Sequence, residues 1–298
     1  MTKIEDTYAE AFDGLFCRII ITAKDETRLK HAAHGSTALP MVVVGRTEGG
    51  IEKWLTPDQT PDRRLGAVVQ FWGLIDASKP LEASLKRFVK EVSYRIRQEI
   101  LVEPTTTVFN ALDSERKFDT METVGHCGDG YEFTEQYAGR EMINIPLMMP
   151  GFRIERHLSY DVGVSGGNIW LLCTNEDAAL KAGDKALEAI HRIEGVITPF
   201  DICAAGSKPE TKYPEIGPTT NHPYVPSLRG KIRDSKVPAN VNSIPEIVIN
   251  GVSLEAVKDA MKAAIRATEG VKGVVQISSG NYGGKLGKYK INLRELLQ

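Results

Sequence analysis

The sequence holds few of the patterns by which catalytic machinery is usually recognised. Its 298 residues contain four cysteines, Cys17, Cys127, Cys173 and Cys203, and none belongs to a C-x-x-C pair. A zinc ribbon or a redox dithiol therefore has no support. None of the six histidines forms an H-x-x-x-H pair. His31 and His34 share a helix face, but such a pair without a third ligand is more often solvated surface, and no metal site is expected. The G-x-x-x-x-G-K-[ST] phosphate loop is absent, because Lys285 is followed by Leu286. No G-x-G-x-x-G follows a strand and opens a helix, and no G-x-S-x-G elbow occurs. Charge of one sign is also lacking: 37 Lys and Arg stand against 39 Asp and Glu, a net charge of −2. That excludes a polycation and makes nucleic acid an unexpected partner. No apolar run approaches the ~20 residues of a membrane span, and no charged-then-apolar leader opens the chain. The expectation is a cytoplasmic protein.

What is present is a plan used four times: a short apolar strand, a polar cap, then a helix. Cys17–Ala23 precedes a helix from about Asp25 to Ala33. Gly66–Trp72 precedes a helix within Pro80–Ile100, where Leu81, Leu85, Phe88, Val89, Val92 and Ile96 make one apolar face. Asn168–Cys173 precedes a helix for which Asn175 is the N-cap, with Glu176 and Asp177 in the first turn. Glu246–Ile249 precedes a helix capped by Ser253, with Leu254, Val257, Met261, Ala264 and Ile265 as its stripe. The last two helices both end in Glu-Gly-Val, at Glu194–Val196 and Glu269–Val271, where glycine suits a left-handed C-cap. Two βαβ pieces per half give an α+β fold of two similar ferredoxin-like (split βαβ) lobes. Residues 1–150 form the first lobe and 151–298 the second. Residues 105–150 do not fit the repeat and read as an insertion or extra hairpin.

Two stretches carry the polar chemistry. Residues 203–245 form a proline-rich polar segment too long for an ordinary connection, which points to a binding loop. It contains Ser207, Lys208, Asn221 and Tyr224. Ser278–Gly287 is the second stretch, with Gly280, Gly283, Gly284 and Gly287 around Asn281, Tyr282 and Lys285. Its backbone N–H groups and polar side chains could bind a ligand. Equally, the glycines could only permit a hairpin between Val274–Ser278 and Lys288–Leu293. The related GVSGGN sequence at Gly163–Asn168 makes fold geometry part of the signal. Glu246 opens its strand directly after the polar loop. It is either a partly desolvated carboxyl with a raised pKa or a solvated acid at a strand edge. Asp129 and Tyr131, in Gly128–Tyr131, line a site or form a routine turn. Cys17 and Cys173 lie in apolar strands and read as inert thiols.

The C-terminal stretch PEIVINGVSLEAVKDAMKAAIRATEGVKGVVQISSGNYGG, together with EDTYAEAF at Glu5–Phe12, GDGY, GVSGGN and the loop Ser207–Tyr224, resembles the formylmethanofuran:tetrahydromethanopterin formyltransferases in the same order. The resemblance spans nearly the whole chain. It implies two lobes, a tetramer, and a catalytic carboxyl at Glu246. It also implies tetrahydromethanopterin and a methanofuran-type carrier as substrates, with no tightly bound cofactor. The near-neutral charge points within the family to the formyltransferase subunit of the methylotroph formyltransferase/hydrolase complex, with hydrolase subunits as partners. Moving a formyl group between nitrogens needs an oriented proton carrier and donors for an oxyanion, but no metal, nucleotide or covalent intermediate. A non-catalytic assembly subunit and a formyltransferase for a folate-type pterin are the alternatives.

Overall fold

Which faces meet is decided by two periodicities, alternation along the strands and three-to-four spacing along the helices. The computed structural model describes residues 2–38, 47–208, 210–217 and 219–298. They divide into two packed units. One comprises residues 1–12 and 164–298, the other residues 13–163. The first twelve residues are thus grouped with residues 164–298.

The chain opens with β1 (Lys3–Ile4) and β2 (Tyr8–Ala23). In the unit of residues 13–163, the remainder of β2 is followed by α1 (Glu26–Thr37), β3 (Thr47–Leu55), β4 (Leu65–Leu74), α2 (Leu81–Arg95) and β5 (Thr107–Asn110). The strand order is β5-β2-β4-β3, antiparallel throughout. Alternate residues of β2 and β4, among them Cys17, Ile19, Ile21, Ala67, Val69 and Phe71, are buried in one cluster with Leu29, Ala32 and Ala33 of α1 and Phe88 and Val92 of α2. Next come β6 (Lys117–Asp119), β7 (Phe133–Tyr137), β8 (Arg140–Pro146) and β9 (Gly151–Glu155). The last three form an antiparallel meander whose β9 joins β5 in parallel. The segment 105–150 is therefore not wholly an insertion. Its first strand, β5, completes the four-strand order, and only the remainder is added to it.

The other unit contains the second part of β10 (His157–Cys173), then α3 (Glu176–Ile190), β11 (Val196–Ile197), β12 (Ser207–Lys208) and β13 (Thr219–Thr220). It continues with β14 (Glu246–Gly251), α4 (Leu254–Thr268), β15 (Val274–Ser278) and β16 (Tyr289–Asn292). Its order is β11-β14-β10-β15-β1, with β1 parallel to β15 and the other pairs antiparallel. The succession strand-helix-strand-strand-helix-strand and its spatial order repeat those of the first unit.

Three details depart from the sequence reading. GVSGGN is not a loop. It lies inside β10, where the register shifts between Val164 and Gly167 and Gly166 takes φ +86°. The glycine stretch is not a hairpin joining β15 to β16, because β16 pairs with residues 8–11 of β2. The two Glu-Gly-Val ends are not equivalent: Gly195 is left-handed at φ +79°, whereas after α4 the left-handed residue is Gly273 at φ +97°. Cys17 and Cys173 are fully buried, and burial pushes their thiols up to about 12 and about 11. No helix among the described residues is long and apolar enough to cross a membrane.

The caps read from sequence are in place. The Asn175 side chain accepts from the Ala178 N–H at 2.9 Å, and the Ser253 hydroxyl accepts from the Ala256 N–H at 3.1 Å. Each satisfies a helix-start donor that has no partner within the helix. Asn175→Ala and Ser253→Ala should each lower unfolding free energy by about 1 kcal/mol in urea titrations. A loss below about 0.3 kcal/mol at both positions would mean that water replaces the caps.

Candidate active site

Alternation sorts β10 and β14 into two faces. Ile169, Leu171, Cys173, Ile247 and Ile249 join the core with α3 and α4. Trp170 and Leu172 point the other way, as does Glu246, the neighbour of Trp170 across the strands. That second face is roofed by the polar segment 203–245. Val237 and Val241 of this segment are buried against Trp170 and Leu172. The described residues of this segment thus form a cover that shares a small apolar core with β10.

Glu246 is only 9 % exposed. Its carboxylate accepts a hydrogen bond from the Trp170 indole N–H at 2.9 Å. Cys203 is held beside it by a reciprocal backbone pair, with N–H to carbonyl distances of 2.8 and 2.9 Å. Burial pushes the Glu246 carboxyl above its ordinary pKa, while the bond from Trp170 and the neighbouring Cys203 pull it down. No cation is among these partners. The group is a desolvated acid held by one neutral donor, the indole, beside a neutral thiol, an environment that brings a carboxyl toward use as both acid and base. It lines a cavity of about 390 Å³ shared with Trp170, Cys203, Asn221 and Tyr224.

The other predicted residues fall into three groups. Asn221 and Tyr224 line the cavity with Glu246. Tyr224 meets Trp170 edge to face at 4.5 Å, and Asn221 is 9 % exposed, its side-chain amide without a hydrogen bond among the described residues. A second group forms a belt beside the cavity. Ser207 and Lys208 pair with β13, directly after the cavity-lining Gly206. The Lys208 ammonium is turned back onto the carbonyl of Glu210. Tyr282 donates its hydroxyl to the carbonyl of Ser207. Burial, with Glu246 and Glu10 as the leading charges, pushes the Tyr282 phenol up to about 12. Gly280 lies flat on the Trp170 indole, where an added Cβ would come within 2.7 Å of the ring. Asn281 points away, donating to the Thr7 hydroxyl at 2.9 Å and the Tyr8 carbonyl at 3.3 Å. Lys285 is exposed. Asp129 and Tyr131 belong to the other unit, on its surface. Asp129 is left-handed at φ +54° in a turn, and Tyr131 is 78 % exposed.

Four residues escaped the sequence reading. Trp170 and Asn168 were legible in principle, since they occupy alternate positions from the buried Ile169 and Leu171. Asn168 accepts from the Gly280 N–H at 2.7 Å and so fixes the start of the glycine stretch. Cys203 had no local signal. Glu10 lies within EDTYAEAF, and its carboxylate takes four N–H groups of the glycine stretch, from Tyr282, Gly284, Leu286 and Gly287, at 2.5–3.0 Å. Those donors, for which ligand binding was one of two readings, face the protein's own acid.

Two family models match the chain along nearly its whole length. Residues 1–147 match the formylmethanofuran-tetrahydromethanopterin formyltransferase model, and residues 150–296 match the model described as its proximal lobe. The chain belongs to the formylmethanofuran–tetrahydromethanopterin formyltransferase family. The family's solved structures superpose over nearly the full length. The formyltransferase from Methanosarcina barkeri is 39 % identical, with a TM-score of 0.88 over 99 % of this chain and 98 % of that one. A chain of the formyltransferase/hydrolase complex from Methylorubrum extorquens, solved with methylofuran, is 32 % identical, with a TM-score of 0.89 over 99 % and 96 %. Two relatives come from Archaeoglobus fulgidus. One, named a formyltransferase-like protein, is 55 % identical over 99 % of this chain and 96 % of its own length. The other, named formylmethanofuran–tetrahydromethanopterin formyltransferase, is 39 % identical over 99 % and 98 %.

The raised pKa of Glu246 gives a stability test with a defined sign. The fold favours the protonated acid. Stability from this group is complete below the ordinary carboxyl pKa and is lost as pH rises through the raised value. Glu246→Gln should therefore melt at or above the wild-type temperature at pH 8 and lose that advantage at pH 4. A variant less stable than wild type at pH 8, with the deficit shrinking at pH 4, would show that the carboxylate form is the one the fold favours.

Proposed function

We propose that the chain transfers a formyl group between tetrahydromethanopterin and a methanofuran-type amine, with Glu246 as the proton carrier. The observation that carries this reading is the buried Glu246 carboxyl on the wall of a cavity, held by Trp170 beside Cys203 and by no cation. Family membership names the reaction, and this group is the one suited to it.

The chemistry follows from the residues. An amine nitrogen attacks the formyl carbon, a C–N bond forms, and the carbonyl oxygen becomes an oxyanion. Glu246 takes the proton that the attacking nitrogen must lose and returns it to the nitrogen that leaves, so the carboxyl ends as it began. The Asn221 amide, which lines the same cavity, is the donor available for the oxyanion. Tyr224 and Trp170 supply a flat apolar wall, and Ser207, Lys208, Gly280, Asn281, Tyr282 and Lys285 form the belt around it. Asp129 and Tyr131 remain proposed substrate contacts only through the resemblance.

The lobes suit the same reading. The order of four strands and two helices in each unit is that of a ferredoxin-like fold, and we place the lobe boundary near residue 150, between the two matched family models. The first twelve residues cross into the second unit. A cytoplasmic homotetramer, without a tightly bound cofactor, completes the proposal, with hydrolase subunits as partners of the kind the Methylorubrum extorquens complex contains.

A second reading rests on the relatives' names. The two Archaeoglobus fulgidus relatives show that one organism holds both forms, and this chain is nearer to the formyltransferase-like one. That favours a changed pterin or carrier, or an assembly role with turnover lost. One experiment separates the readings. Purified protein is given formyl-tetrahydromethanopterin or a formylated folate with a methanofuran-type amine, and the pterin absorbance is followed. Turnover with the first pair, reduced a hundredfold or more by Glu246→Gln, supports the proposal. Turnover with the folate alone moves the assignment to the second reading. None with either, in folded protein, points to the assembly role.

A further inference from the structure

The glycine stretch has the form of an anion cradle already filled from within. Gly283 and Gly284 are both left-handed, at φ +72° and +76°. Successive N–H groups turned inward by such a conformation make a concave site for negative charge. Glu10, 4 % exposed, occupies it. One carboxylate oxygen accepts from Tyr282 and Gly284, and the other from Leu286 at 2.9 Å and Gly287 at 3.0 Å. Burial works against the charge, but the four N–H groups more than offset it and hold the carboxyl below its ordinary pKa. Gly287 lies so close to β2 that an added Cβ would be within 2.7–2.9 Å of Glu10 Cβ and the Ala11 backbone. No larger residue lets the stretch reach the carboxylate.

The consequence reaches the cavity through covalent neighbours. Tyr282, the first residue held by Glu10, donates its hydroxyl to Ser207 in the cover, and Gly280 lies against the indole that binds Glu246. We propose that Glu10 is a positioning residue: its carboxylate fixes residues 281–287 as a rigid wall beside Glu246 and so sets substrate affinity, not the chemical step. This deepens the formyl-transfer reading and rests on it for its kinetic arm.

The test is Glu10→Gln, which keeps shape but turns an amide NH₂ against two N–H donors. Tryptic cleavage after Lys285, which is exposed on this stretch, should accelerate at least tenfold in the otherwise folded variant. The KM for the formyl carrier should rise about tenfold with kcat within threefold, and Glu10→Asp, which retains the charge, should lie between. Unchanged cleavage and unchanged KM overturn the proposal. So does a fall in kcat at constant KM, which would place Glu10 in the chemistry. If Glu10→Gln does not fold, Gly284→Ala disrupts the cradle with Glu10 intact, and the same two readings decide. The proteolysis arm needs no turnover. A wild-type protein inactive in formyl transfer would thus sink the functional reading while the cradle is still judged by its cleavage rate.

Discussion

The hydrogen bond from Trp170 to Glu246 is the interaction on which the site depends, and it is set by strand register. Trp170 and Glu246 are direct neighbours on β10 and β14. Their flanking residues, Ile169, Leu171 and Ile247, are all in the helix-side core. Slipping either strand by one residue would move the carboxyl under α3 and α4 and put isoleucine in the cavity. The apolar core therefore holds the face that carries Glu246 in place from behind. Removing the burial of those isoleucines, at roughly 1.5–3 kcal/mol each, would loosen the register before it touched the site.

A buried acid needs partners that do not neutralise it. A cation within reach would have stabilised the carboxylate and drawn its pKa down, leaving a poor proton donor. Trp170 offers a hydrogen bond without charge, and Cys203 is a neutral neighbour. The indole does more than donate. Its face supports Gly280, its edge meets Tyr224, and with Leu172 it forms the floor on which Val237 and Val241 rest. One side chain thus organises the acid, the cover and the start of the glycine stretch. The unit of residues 13–163 places a comparable polar set on the corresponding face of its own sheet. There Glu52 pairs with Arg18 at 2.7 Å and accepts from Gln70 at 2.8 Å. Its acid meets a guanidinium, and in that respect the two faces differ.

The legible parts of the fold were those with local causes. Asn175 and Ser253 are visible as caps because capping acts over three residues. Val257, Met261, Ala264 and Ile265 are visible as a stripe because helix spacing repeats. Glu246 is only half visible: its place at the start of an apolar strand allows a buried or a solvated acid, and the resemblance is what singles it out. What was not legible depends on partners far away in sequence. Nothing in the glycine stretch says that its N–H groups end on Glu10, more than 270 residues earlier. Nothing in residues 288–293 says that they leave β15 and pair with β2. β5 was misassigned to an insertion because a four-residue strand at Thr107–Asn110 has too short a pattern to stand out from the meander that follows. Cys203 gave no local sign at all, since a cysteine beside an acid is a fact of the cover's path.

The pairing of residues 8–11 with 289–292 has a temporal meaning. During synthesis the N-terminal dozen residues emerge first, yet the strand that pairs with them and the N–H groups that take the Glu10 charge are made last. For nearly the whole of translation this segment has no native place to go, while residues 13–163 can already collapse around their own core. Closing a loop of that length is slow compared with forming the local helices. The unit that carries Glu246 is therefore sealed by its most non-local contacts.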